Sequence, residues 1–224
     1  MQPYFLPYIG YWQLLSAVDK FVVYDDVNYI KGGWINRNNI LVCGKKQLFT
    51  MRLDGSSSFK LINEIGILDN FIKFQKTIKL NYHNAPYFER VIAVLDKIMG
   101  FDKSNLGRFI YNSLVVIAEY LEIQTELLLS SELPKDNTLK AQCKVIDICK
   151  RLGASEYYNA IGGKELYSID SFRENGLELK FIQTRFQHYA QFENAFVEGL
   201  SILDVLMFND VETINKMLGA YTLV

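Results

Sequence analysis

The sequence predicts an α/β protein, with a mainly parallel Rossmann-like sheet flanked by helices, a β-hairpin and an α-rich middle insertion. Three observations predict it. The last third alternates β-rich runs with helical apolar spacing, and strands joined by crossover helices run parallel. Near the amino end the β-rich run Phe21-Val22-Val23-Tyr24 stops at Asp25-Asp26, and residues just past the carboxyl end of such a strand line the ligand crevice of an α/β fold. Between these regions, apolar residues recur three and four apart, as helices require.

The elements follow in order. Pro3 to Tyr11 reads as a rigid aromatic loop, Trp12 to Val18 as a helix-like apolar run, and Asp19 to Tyr24 as a strand. Ile40 to Leu53 reads as a hairpin turning at Gly44-Lys45, and Asp54 to Ser58 as a flexible loop able to cover a site. A short strand near Leu61 to Ile67 leads into helices at Asn70 to Tyr82, Ala85 to Met99 and Leu106 to Leu121. Strand Ile123 to Leu129, helix Leu139 to Leu152, strand Glu156 to Ala160, helix Lys164 to Glu174 and strand Leu177 to Phe181 supply the α/β rhythm. Ser201 to Met207 and Val211 to Leu218 close the chain as two short helices, with Ser201 and Asp210 as caps; Asp204, three residues beyond Ser201, suggests a variant capping box. Strand Asp19 to Tyr24 is expected beside Glu156 to Ala160. The whole chain, 1–224, reads as one domain with a helical insertion at about 68–121.

Half of the 224 residues are hydrophobic and 14% aromatic, so a core is easily built and global disorder is excluded. Lys and Arg number 24 against 25 Asp and Glu, a formal net charge of −1 that gives no general attraction to nucleic acid or anionic membrane. A local basic patch remains open. Cys43, Cys143 and Cys149 have no metal-ligand spacing and read as reduced thiols, no metal site is expected, and no apolar run is long enough to span a bilayer. The expected compartment is the cytoplasm.

The candidate site residues concentrate in 2–38. Paired carboxylates such as Asp25 and Asp26 can hold Mg²⁺, grip an amine or a ribose, or serve as acid and base; one of them can instead cap or turn the chain. Lys31 and Arg37 flank Trp34, Asn36 and Asn38, and the two glycines between let the backbone approach a ligand. Cations with an aromatic suit phosphate or diphosphate and a stacked base or sugar; the alternative is a solvated turn before a hairpin. Gly162-Gly163 ends a strand and opens a helix, presenting backbone N–H groups to an anion, although glycine there is often only geometric. His188 is a possible base, with a surface role the simpler reading.

Two resemblances add to this. Phe5 to Leu15 resembles the first motif of the nucleotidyltransferase and class I synthetase superfamily, with Gly10 kept and the two histidine places held by Tyr8 and Tyr11. Tyrosine donates a hydrogen bond to phosphate but brings no positive charge. Gln2-Pro3-Tyr4-x-Leu6-Pro7-Tyr8-x-Gly10-Tyr11, Asp19-x-Phe21-Val22-x-Tyr24-Asp25-Asp26-Val27 and Trp34-x-Asn36-Arg37-Asn38-x-Ile40 resemble motifs of the WbqC-like family of bacterial O-antigen clusters. Ser130-Ser131, Leu152-Gly153-Ala154, Ile161-Gly162-Gly163, Tyr189-x-Gln191 and Leu200-Ser201-Ile202-Leu203-Asp204 continue the likeness in order.

The resemblance implies an acyl transferase or ATP-dependent ligase of surface polysaccharide synthesis. It would acylate, most plausibly with glycine, the amine of a nucleotide-linked amino sugar. Its partners are then that sugar and an amino acid or activated acyl donor; ATP and Mg²⁺ are admitted as cofactors without being required. Catalytic roles fall to Asp25, Asp26, Tyr8 and Tyr11, and binding roles to Gln2, Tyr4, Gly10, Lys31, Trp34, Asn36, Arg37, Asn38, Gly162, Gly163, Tyr189 and Gln191. The alternative is a non-catalytic sugar-nucleotide or partner-binding protein with a degenerate site. Oligomeric state stays open. Members of the family usually carry a short apolar strand before Gln-Pro, whereas Met1 directly precedes Gln2: either most of that strand is lost or the true start lies upstream, and a gap or a very short strand is expected there.

Overall fold

A computed structural model describes residues 1–193 and 195–224. The amino-terminal loop is followed by helix α1 (Ile9–Ser16) and strand β1 (Lys20–Val23). A hairpin of β2 (Arg37–Val42) and β3 (Lys45–Thr50) comes next, with a two-residue pair β4 (Leu53–Asp54) and β5 (Gly66–Ile67) around a 3-10 turn at Ile62–Glu64. The middle holds α2 (Ile72–Tyr82), α3 (Phe88–Met99) and α4 (Leu106–Tyr120). Then come β6 (Glu126–Leu129), α5 (Ala141–Arg151), β7 (Glu156–Ala160), a 3-10 segment at Ile161–Leu166, α6 (Ile169–Glu174) and β8 (Glu178–Thr184). Helices α7 (Ile202–Phe208) and α8 (Val211–Leu218) precede β9 (Tyr221–Leu223).

Among the described residues the expected continuous parallel sheet is replaced by four small ones. β1 pairs parallel with β6, β2 with β3 and β4 with β5 antiparallel, and β8 lies between parallel β7 and antiparallel β9. The strand at Asp19 to Tyr24 therefore sits beside Glu126–Leu129 and not beside Glu156–Ala160. Met1 bonds to β1 alone: its amino group donates to Val22 O at 2.8 Å and its carbonyl accepts from Tyr24 N at 2.8 Å. β9 was not foreseen. Its run of three residues is too short for periodicity to register.

The hairpin turns one residue earlier than expected, at Cys43-Gly44. Both have positive φ, 48° and 72°, the two-residue turn whose twist matches paired strands. Helices α2 to α4 bury Ile78, Val91, Leu95, Ile98, Phe109 and Leu114 in the same core as Phe5, Trp12, Phe21 and Leu203. A second, smaller core gathers Val145, Ile146, Cys149, Phe172 and Leu177 under α5 and α6. Among the described residues no helix is long and apolar enough to cross a membrane.

Candidate functional site at the carboxyl ends of β1 and β6

Parallel pairing brings the carboxyl ends of β1 and β6 together, so Tyr24-Asp25-Asp26 lies against Ser130-Ser131. Asp25 is buried. Its Oδ1 accepts from Ser131 N at 2.9 Å, and its Oδ2 from Ser131 Oγ at 2.6 Å and from Asn63 Nδ2 at 3.4 Å. A Cβ on Gly107 would stand 2.9 Å from the Asp25 Cβ, so glycine lets the carboxylate rest against the first turn of α4, where the helix end favours negative charge. Asp25 thus holds the end of β6 in place.

Asp26 carries the more reactive arrangement. Its Oδ2 meets Lys135 Nζ and Lys144 Nζ, each at 3.0 Å, and the lysine side chains are only 2% and 9% exposed. Lys135 also donates to Ser130 O, and Lys144 Nζ lies 5.2 Å from the centre of the Tyr24 ring. Burial pushes the Asp26 carboxyl up, but Ser130 and the two lysines outweigh it and hold the group below its usual range. Ser130 Oγ lies near enough to favour the ionised form, yet neither it nor Asp26 Oδ1, both buried, reaches hydrogen-bond geometry with a partner. Burial, then Asp26, then Tyr167 push the Tyr24 phenol up to about 12.

This cluster is net cationic, with two buried ammonium groups against one carboxylate. Burying charge without compensation is costly, so the excess favours an anion. Mg²⁺ does not fit: Asp25 is occupied by N–H and O–H donors, and two ammonium groups beside Asp26 repel a dication. Among the described residues no group of three or more His, Cys, Asp or Glu is placed to hold a metal. Lys135 and Lys144 escaped the sequence reading because lone lysines far from the aspartates in the chain carry no motif.

Other motif residues are engaged in the framework. The Leu6 carbonyl accepts from Asn38 Nδ2 and from Ser201 Oγ, both at 2.7 Å, tying the aromatic loop to β2 and α7. Asn36 donates to Met51 O at 2.7 Å and accepts from Tyr29 Oη at 2.8 Å. Tyr11 is buried, donates to the Gln2 carbonyl at 3.1 Å and stacks at a tilt on Tyr4, whose phenol is also pushed up by burial. Tyr8 is half-buried against Phe186. Gly10 faces Thr184 Oγ1, which a Cβ would approach to 2.2 Å, so its backbone meets β8. Gly163 abuts the Asn159 amide, and Gly162 faces open space.

A second network surrounds Asp204. Its carboxylate accepts from Tyr82 Oη at 2.8 Å, Tyr189 Oη at 2.7 Å and Gln191 Nε2 at 2.6 Å, while burial pushes its pKa up. Asp204 serves this network, and the N-cap role at α7 falls to Ser201, whose Oγ accepts from Leu203 N. His188 is exposed and stacks on Phe196.

Lys31, Trp34 and Arg37 gather in their own turn. Arg37 Nε donates to Gly33 O at 2.8 Å and its guanidinium stands 5.6 Å from the Trp34 ring centre. No hydrogen bond or ion pair among the described residues joins this turn to Asp25 or Asp26.

Comparison with known proteins agrees with the motif order. A profile described as the WbqC-like protein family matches residues 2–216. The uncharacterized protein Rv1507c of Mycobacterium tuberculosis is 27% identical over 216 residues, covering 93% of this chain and 91% of its own length. No solved structure matches.

Proposed function

The chain belongs to the WbqC-like protein family, and from that premise we propose that it transfers a preactivated acyl group, glycyl as first choice, to the amine of a nucleotide-linked amino sugar in bacterial surface polysaccharide synthesis. One observation carries this reading: the buried Asp26–Lys135–Lys144 cluster at the carboxyl ends of parallel β1 and β6. It is a cationic cluster around a carboxylate. Such a pair suits a substrate carrying a diphosphate and an amine.

The proposal treats β6–β1 and β7–β8 as two parts of a Rossmann-like arrangement that takes ligand at its carboxyl ends. Lys135 and Lys144 neutralise phosphate, and Asp26 Oδ1, the oxygen without a partner, accepts a hydrogen bond from the sugar amine. Arg37, half-buried beside Gly33, is assigned to the nucleotide's phosphates. The amine nitrogen attacks the acyl carbonyl, the C–N bond forms, the ester or thioester bond breaks, and the amine proton leaves with the donor's oxygen or sulfur. Activation by this chain itself is not assigned. The places of the two phosphate-binding histidines are held by tyrosines, and Tyr11 is spent on Gln2.

The test supplies glycyl-tRNA or a glycyl thioester with uridine and thymidine diphosphate amino sugars and follows the acceptor's mass without ATP. A glycyl mass gain that falls in Lys144→Met supports the reading. Binding without turnover would identify the non-catalytic alternative. ATP–pyrophosphate exchange driven by glycine would move the activation step into this chain and overturn the transferase assignment.

A further inference from the structure

Two loops, 28–34 and 55–61, form a surface knuckle. Asn28 and Leu61 make an antiparallel bridge, Tyr29 N donates to Lys60 O at 3.0 Å, and Asn28 Nδ2 donates to Ser58 O at 2.8 Å. Tyr29 is buried and anchored on Asn36, so the knuckle has a rigid root. Its tips are apolar. Phe59 is 92% exposed, Ile30 51% and Trp34 45%.

Scattered exposed apolar residues need no account, but three on two loops bonded to each other form a patch. Lys31 and Lys60 are exposed and neither loop contains an Asp or Glu, while the Glu64 carboxylate accepts from Leu61 N at 2.8 Å at the end of the second loop. In a chain of net charge −1 this is a local feature and not a general one. Apolar tips beside cations match an interface where hydrocarbon begins under anionic headgroups: the ring and the branched chain enter the boundary while the ammonium groups stay at headgroup level. A purely apolar protein groove would leave the lysines without complement.

We propose that this knuckle docks the protein peripherally on a bilayer with anionic headgroups. The contact is shallow and reversible, because it uses loop tips and no spanning helix. It rests on Ile30, Phe59 and the two lysines, which the acyl-transfer reading does not assign, and shares with that reading only the Arg37–Trp34 contact.

Co-sedimentation with phosphatidylcholine vesicles, with and without phosphatidylglycerol, tests it. The full chain is expected to pellet with the anionic vesicles, to be released by salt, and to show a blue shift of Trp34 emission, since Trp12 is already buried. Ile30→Ser with Phe59→Ser should reduce binding at least tenfold, and Lys60→Glu by roughly fivefold or more, the scale of one basic residue at a charged surface. Thermal melts should be unchanged, because these side chains are exposed. Absence of pelleting, equal pelleting with neutral vesicles, or undiminished binding by the variants would overturn the proposal. So would a dimer in sedimentation velocity that Phe59→Ser dissolves, which would give the patch to a second copy of the chain.

Discussion

At Asp26 the chemistry turns on a single charge. Replacing Lys144 by Met leaves one lysine against one carboxylate, so the cluster becomes neutral. Folding is expected to change little, while affinity for a diphosphate sugar falls by about tenfold, or roughly 1.4 kcal/mol, in calorimetric titration. Asp26→Asn does the opposite. It strands two buried ammonium groups and is expected to cost about 3 kcal/mol in denaturant melts, the lower end for breaking a buried pair because Asp26 is only partly buried. The pH dependence has a definite sign. A carboxyl whose folded pKa is depressed stabilises the fold above its unfolded pKa, near pH 4, and loses that contribution as pH falls through the folded pKa. The wild type should therefore lose stability below about pH 4 more steeply than Asp26→Asn. A variant with the same acid slope would mean that the two lysines do not hold Asp26 ionised. Residue types alone marked Asp25-Asp26 as candidates, but not that Ser131 would engage Asp25 and two distant lysines Asp26.

Among the elements, the family motifs act as clamps. Asp204 joins α7 to the end of α2 and to the 189–191 segment, and Tyr82 Oη in turn accepts from Leu41 N of β2 at 2.7 Å. Asp204→Ala leaves two phenols and an amide without their acceptor, and a loss of about 3–5 kcal/mol is expected in denaturant titration. A loss below about 1 kcal/mol would mean that the network contributes little. Gly10→Ala puts a methyl 2.2 Å from Thr184 Oγ1 and 2.5 Å from the Tyr8 ring, prising α1 from β8, and should lower the melting temperature clearly, by about 1–3 kcal/mol of overpacking. Gly162→Ala meets nothing within 4 Å and serves as its control. The middle helices were legible because their apolar spacing repeats over several turns, and β7 was read to its ends because turn residues bound it; the expected helix Lys164 to Glu174 is instead a 3-10 segment and the short α6, and α1 starts at Ile9, inside the expected loop. That Tyr189, Gln191 and Asp204 meet one another was not legible, since sequence order says nothing of which buried donors share an acceptor.

For the whole molecule, the sequence reading erred by assuming that strands with an α/β rhythm join one sheet. Pairing is decided by neighbours: β1 takes β6 as its parallel partner and β7 takes β8. The consequence is a protein with two cores. The larger one carries β1, α2 to α4 and α7, and the smaller one lies under α5 and α6 around Phe172. Asp26 follows β1 on the first, whereas Lys144 belongs to α5 on the second, so the ion cluster spans both. A small core opens at lower free energy than a large one, and a ligand that binds only the closed form suppresses that opening. In native-state hydrogen exchange, the amides of α5, β7 and α6 are therefore expected to exchange faster than those of α3 and α4. Saturation with a diphosphate amino sugar should slow them selectively, at 100 times the dissociation constant by up to about a hundredfold. Lys144→Met should remove most of that slowing while leaving the exchange of α3 and α4 unchanged. Uniform slowing across both cores, or slowing that survives in Lys144→Met, would place the ligand away from the Asp26 cluster.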